Sequence, residues 1–178
     1  LKDSIEWKGY EMKLIRIKDH KDFMGKLLNS DCFDSFLLYE ASIRISCSYV
    51  IDGKQNKDFY TNEDRQVDNS LLYPYTEWKQ IRLLCFQLIK GKRAPISFHF
   101  ILFIKPEIQQ KLLKITSAEN GDTNVSQLIL NIKYDSNGLF LTTGISYSEF
   151  TMNKENELLW DKNILQFLTL KQISFEES

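Results

Sequence analysis

The sequence predicts an α+β fold of antiparallel sheets with two or three helices, arranged as two similar halves. Three observations carry that reading. Apolar and polar residues alternate near the start of the chain and again up to Ile51, which is the period of a half-buried strand. Apolar residues at helical spacing follow Asp19 and recur after Trp78 and Asn156. Asn137-Gly138, set between two apolar runs, is the strongest hairpin signal in the chain.

Taken in order, "MKLIRIK" places Ile15 and Ile17 on one side of a short strand and Leu14, Arg16 and Lys18 on the other. Asp19 can cap the helix that follows, whose apolar face is Phe23, Met24, Leu27 and Leu28 before "NSD" stops it. From Phe36 the pattern is β, with Ile43, Ile45, Cys47, Tyr49 and Ile51 on one face and Asp52-Gly53 as a tight hairpin turn into "KQNKDFY". Thr61 to Ser70 is polar and reads as an exposed loop. Pro74 precedes the helix "WKQIRLLCFQLIKGKR". "ISFHFILFIK" is apolar on both faces and therefore predicts a central strand. "PEIQQKLLKI" predicts a short helix and "TSAENGDTNVS" a second loop. Two strands meet around Asn137-Gly138, a turn near Gly144 would return a third through Phe150 and Met152, and a last helix runs from Asn156 to about Leu170 with Leu159, Ile164, Phe167 and Leu168 on its apolar side. Met12 to Ser178 then form a single α+β domain. Leu1 to Glu11 are either an N-terminal arm or an extension read from a start upstream of Met12.

Composition narrows function. A chain of 178 residues with 43% hydrophobic residues can bury one substantial core. Its 23 basic and 24 acidic residues give no global field, so a polyanion site would have to be local. Cys32, Cys47 and Cys85 are odd in number and far apart, which argues against a disulfide framework and for a reducing, cytoplasmic setting. Cys47 and Cys85 fall on apolar faces, as structural thiols would, and Cys32 is the more accessible. The apolar runs are far shorter than the roughly 20 residues of a membrane span, which disfavours membrane insertion.

The order of helices and strands from Met12 to Met152 resembles one domain of a DNA sliding clamp, in which two similar halves each back a helix with a sheet. That likeness is topological, with no clamp motif matched. The segments "FDSFLLYEASI", "DGKQNKDFY", "WKQIRLLCFQLIKGKRAPISF" and "TTGISYSEFTM", with Trp160 in the final helix, are similar to a small uncharacterised bacterial family of unknown function. The resemblance implies no activity, cofactor or catalytic residue, and it leaves out Leu1 to Glu11.

One stretch is chemically distinctive. "WKQIRLLCFQLIKGKR" holds Lys79, Arg82, Lys90, Lys92 and Arg93 and no acidic residue. On a continuous helix Lys79, Arg82, Lys90 and Arg93 would share a sector of about 80°, opposite Trp78, Ile81, Cys85, Leu88 and Ile89. Such a stripe could contact phosphates without reading bases. Gly91 is equally a helix stop, whose neighbouring cations complement the negative end of the helix dipole. Leu83 and Phe86 also interrupt the stripe, as a face packed on protein would.

Other candidates are thinner. His20 with Asp22 lacks further ligands for a metal site. His99 shares a strand face with Ser97, without the third orienting group of a hydrolytic site. Lys54, Gln55, Asn56 and Lys57 beside Phe59 and Tyr60 suit nucleic-acid contact or an ordinary hairpin strand. The expectation is a non-enzymatic binding or scaffold module with no cofactor or metal, associating with nucleic acid through the basic helix or with protein. It would be a homo-oligomer if it encircles DNA. A hydrolase with a polar pocket near His99 is the alternative.

Overall fold

Seven strands of the computed structural model join in one antiparallel sheet in the order β3-β2-β4-β5-β6-β1-β7, and the residues described are 13–120, 124–149 and 154–177. The first, β1 (Leu14–Ile17), leads into α1 (His20–Asn29), which Asp19 caps by accepting from the Asp22 backbone N–H at 2.9 Å. Phe23, Leu27 and Leu28 bury the predicted face of α1. The chain continues through β2 (Phe36–Arg44), β3 (Ser48–Asp52), α2 (Asn62–Val67), α3 (Trp78–Ile89), β4 (Ser97–Ile104), α4 (Pro106–Asn120), β5 (Val125–Asp135), β6 (Gly138–Tyr147), α5 (Glu155–Leu170) and β7 (Phe175–Glu177). The fold class is α+β, with five helices among the described residues. None of these helices is long and apolar enough to cross a membrane.

The strand order does not divide into two halves. β1 lies between β6 and β7, separated from β2 by β4, β5 and β6. A clamp-like pair of similar sheets is therefore not the arrangement here. The first strand joins the far side of the sheet because Leu14, Ile15 and Arg16 pair with Thr142, Leu141 and Phe140. The strand Ser97–Ile104 is interior, as its apolar faces require, with β2 on one side and β5 on the other.

The helices cover one sheet face. Apolar residues of α1, α3, α4 and α5 share a single cluster with Ile15, Ile17, Leu38, Ile43, Phe100, Leu102, Leu130 and Leu141 of the strands. Two indoles pin this layer by donating into it, Trp78 Nε1 to the Leu27 carbonyl at 2.9 Å and Trp160 Nε1 to the Ile129 carbonyl at 2.8 Å. Burying an indole without a partner for its N–H would cost stability, so these bonds fix where α3 and α5 sit. On the second face a smaller cluster of Leu37, Phe103 and Ile129 is joined by Tyr39, Tyr73, Tyr75 and Ile101.

Several local expectations are corrected. The β2–β3 reversal occurs at Ile45 to Cys47, with Arg44 opposite Ser48, instead of at Asp52-Gly53. Alternation runs unbroken through these residues, so it hid a turn that small Ser46 and Ser48 favour. Asp52 instead bends the chain out of β3 by accepting from the Lys54 N–H at 2.9 Å. "KQNKDFY" is thus no strand: its Lys54 makes one bridge to Tyr75, and Lys57–Phe59 form a 3-10 turn. The polar loop contains α2, opened by a capping box in which Asp64 N–H donates to Thr61 Oγ1 and Thr61 N–H to the Asp64 carboxylate. Asp stands where the usual box has Glu or Gln, and no apolar face advertises the helix.

The helix α4 extends past "PEIQQKLLKI" into "TSAEN", since Pro106 pre-sets its first turn and Ile108 and Leu112 pack on the core. The strand β6 continues through Gly144, which pairs with Ile129, so no turn forms there. The proposed third strand through Phe150 and Met152 lies outside the described residues, as does the segment Leu1 to Glu11. Strand β7, invisible in the pattern, pairs Phe175, Glu176 and Glu177 with β1.

Candidate functional site

Side chains alternate across a sheet, so the register decides which residues meet on the second face. In one row Ile101 of β4 lies opposite Asn131 of β5, which lies opposite Thr142 of β6, which lies opposite Leu14 of β1. In the next row His99, Lys133, Phe140 and Arg16 follow in the same way. Apart from Arg16, the residues of these rows line a hollow of 580 Å³, and Asp135 and Asn137 of the β5–β6 hairpin close one end. Gly138 permits that hairpin by adopting φ +129°, a conformation that a Cβ disfavours.

Within the hollow, His99 Nε2 and Asn131 Oδ1 lie 3.3 Å apart in a hydrogen bond. Burial lowers the His99 pKa, against the opposing pull of the Asn131 hydrogen bond, and so favours the neutral ring. Charges around the hollow are only partly paired, since Glu176 holds Lys18 and Arg16 keeps no ion pair among the described residues. Lys133 Nζ reaches the Asp135 carboxylate at 3.2 Å, and Arg16 stands over the Phe140 ring at 6.0 Å with Glu176 opposite it across the β1–β7 pair. The Asn137 backbone N–H, then Lys133, hold the Asp135 carboxyl below its usual range. Leu14, Ile101 and Phe140 supply apolar surface. Such a mixture of apolar walls and a few convergent polar groups, in a volume of about 300–1,000 Å³, is the usual character of a small-molecule site.

The basic residues of α3 are distributed differently from the predicted stripe. Lys79 Nζ lies 3.1 Å from the carboxylate of buried Glu77, which Lys105 also contacts. Arg82 donates to Asp34 Oδ1 and to the Leu28 carbonyl, both at 3.2 Å, and so ties α3 to α1. The helix ends at Ile89, Lys90 takes extended backbone angles as its cap, and Lys92 and Arg93 lie beyond it. Helical geometry thus stops before the stripe is complete. Lys90, Lys92 and Arg93 are exposed at that end, with Lys90 Nζ 5.9 Å from the Phe86 ring centre.

His20 meets the edge of Tyr134 at 6.0 Å and lines a smaller apolar cavity of 190 Å³. No group of three His, Cys, Asp or Glu among the described residues could hold a metal ion. Cys85 is buried as its apolar face predicts, but Cys47 and Cys32 exchange their expected places. Cys47 is exposed at the β2–β3 turn, whereas Cys32 and Cys85 are buried, and burial pushes the Cys85 thiol up to about 12. With iodoacetamide at about pH 8, Cys47 should label like a free thiol and Cys85 at least about 100-fold more slowly; fast Cys85 labelling in the folded protein would contradict its burial.

A family model described as "Family of unknown function (DUF5721)" matches residues 26–176. The chain belongs to the DUF5721 family. The DUF5721 match runs from within α1 into β7 and so includes the lining of the hollow except Leu14 of β1. No curated protein and no solved structure matches the chain. Sequence reasoning singled out His99 but missed Asn131, Phe140 and Thr142. The available signal was a polar residue flanked by apolar ones in each of two strands, His99 in "ISFHFILFIK" and Asn131 in "LILNIKYD". It acquires meaning only when the strands are paired.

Proposed function

We propose that this protein is a non-enzymatic binding module whose ligand site is the hollow on the second sheet face. The observation that carries the reading is the His99–Asn131 hydrogen bond placed among Leu14, Ile101 and Phe140 in a cavity of 580 Å³. A hydrolase reading would need a nucleophile or an orienting carboxylate bonded to His99, and the ring is bonded to an amide instead. A fragment screen read on the methyl resonances of Leu14 and Ile101 tests the proposal. Fragments that shift both should lose affinity at least about tenfold in Thr142→Trp, which fills the hollow, with an unchanged melting temperature. Retained affinity in that variant would place the site elsewhere.

A second reading rests on the exposed cations at the end of α3. Lys90, Lys92 and Arg93 follow one another closely, and three phosphate contacts by them would give weak, sequence-independent association with duplex DNA. The salt slope would be near -2.7, a loss of about 40-fold between about 50 and 200 mM salt. Changing the three to Glu should abolish it. Lys79 and Arg82 are left out of this site because both hold internal carboxylates. No binding at the lower salt, or a slope unaffected by the triple change, would remove the nucleic-acid reading.

A further inference from the structure

The two edges of the sheet differ. Strand β7 ends one side with three residues, of which Glu176 and Glu177 are charged and paired with Lys18 and Lys13. A very short, charged strand guards an edge against further pairing. Strand β3 ends the other side as "SYVID", with no lysine, proline or bulge. Tyr49 is 38% and Val50 63% exposed.

The outward backbone groups of β3 follow from its ladder with β2. At the two ends of that ladder Ile45 N–H donates to the Cys47 carbonyl and Gly53 N–H to the Tyr39 carbonyl. Bonds to one neighbour recur on alternate residues, so Tyr49 and Ile51 bond to β2, while Ser48, Val50 and Asp52 turn their N–H and C=O groups outward. Among the described residues no strand pairs with that side.

This edge complements itself. Set antiparallel to its own copy about Val50, it brings Val50 opposite Val50 and Ser48 opposite Asp52, so every outward-turned residue exchanges N–H···O bonds with its opposite. Tyr49 then lies opposite Ile51 of the second copy on the helix-covered face, where Ile51 already packs on the core. Helix α3 adds apolar surface there. Arg82 turns one flank of it to α1, and Leu84, about 160° round the helix from Arg82, is 48% exposed on the flank nearer β3. Charge fits as well. On the second face Arg44 lies beside Ser48, is exposed and has no ion pair among the described residues. Asp52 of the second copy follows Ser48 in the same row, its Cα about 10 Å from that of Arg44, a gap that an arginine and an aspartate close across a small serine. The two-fold axis makes this pair twice.

We infer that β3 is the interface of a homodimer, in which two copies pair these edges antiparallel about Val50 and continue one sheet through both protomers. A foreign strand would have to supply the same apolar partner for Tyr49 and the same carboxylate for Arg44, which a second copy brings in register. The pairing uses both unguarded edges and leaves only the two β7 edges, so assembly stops at two.

Sedimentation velocity of the full chain at about 5 to 200 µM tests this, with a dimer expected to dissociate in the micromolar range, as suits one strand and one helix flank per side. Val50→Pro removes an outward N–H and no bond to β2, so it should weaken dimerisation at least about tenfold with an unchanged circular dichroism spectrum. Should that variant fail to fold, Val50→Lys sets two like charges on the two-fold axis and should weaken it as much. Register is read in a Cys47→Ser background, Cys32 and Cys85 being buried. There Val50→Cys should form a covalent dimer on mild oxidation, the facing Cα atoms lying about 5.5 Å apart. A wild type that stays monomeric at about 200 µM overturns the inference and leaves the edge to an extended peptide of another protein. A dimer unaffected by the folded Val50 variant, or one that forms no cross-link through position 50, uses another pairing and overturns it too.

Discussion

Replacing Gly53 with alanine is expected to lower stability by roughly 3 kcal/mol and the melting temperature by about 6–12 °C. A Cβ at this position would sit 1.8 Å from the Leu38 carbonyl oxygen and 2.6 Å from its carbon. Both are backbone atoms, so no side-chain rotation relieves the overlap. Nor is the backbone free to yield. Gly53 N–H donates to the Tyr39 carbonyl at 2.9 Å, and the Gly53 carbonyl accepts from Thr76 N–H at 2.8 Å. The Thr76 carbonyl in turn accepts from Leu38 N–H at 2.8 Å. The three segments are thus laced together where β2 shifts register between Leu38 and Glu40. Making room means opening this lacing and disturbing Tyr39, whose ring stacks on Phe103 at 4.8 Å. A Gly53→Ala protein that melts within about 2 °C of the wild type would show that the segment can move away at little cost. Gly25, with nothing within 4 Å of its built Cβ, serves as the control: its alanine variant should be neutral or slightly stabilising within its helix.

The contrast between those two glycines shows what was legible in the sequence. Local rules placed β1, the Asp19 cap, the apolar face of α1 and the β5–β6 hairpin, because each depends on neighbours within a few residues. Gly53 was read as half of a hairpin turn for the same local reason. Its actual requirement comes from Leu38, reached only after the chain has folded back beside β2. The basic stripe failed in the same way. Helical spacing supposed one continuous helix, but the chain leaves α3 after Ile89, and the partners that occupy Lys79 and Arg82 come from residue 77, from α1 and from residue 34. The hollow is the most non-local feature of all. Four strands from separate parts of the chain contribute a residue to each of its rows, and a register shift of one residue would turn all of a strand's contributions to the other face.

Glu77→Gln should cost about 2–3 kcal/mol at pH 7, and this cost should shrink as the solution is acidified. The carboxylate is 2% exposed, with Lys105 and Lys79 against it and the α3 helix starting at the next residue. Burial, the largest influence, disfavours its charge, but the hydrogen bonds and charges of Lys105 and Lys79 together outweigh burial and hold its pKa below the ordinary 4.5. A depressed carboxyl pKa means that the folded state binds the proton less readily than the unfolded chain does. Its contribution is therefore fully present above about pH 4.5 and is lost as the pH falls through the lower folded-state value. The expected cost lies below the roughly 3–5 kcal/mol of breaking a fully buried pair, because Lys79 is half exposed and can return to water. Lys105 cannot do so as easily, being 15% exposed and lying 5.8 Å from the Tyr73 ring centre. Removing both charges together, as Glu77→Gln with Lys105→Met, should then recover part of the loss, since no buried cation is left without its partner. Urea unfolding of the wild type and both variants between about pH 3.5 and 7 measures each term. A single-variant cost that grows toward low pH would mean that burial wins over the lysines, and that Glu77 is held nearer its protonated form.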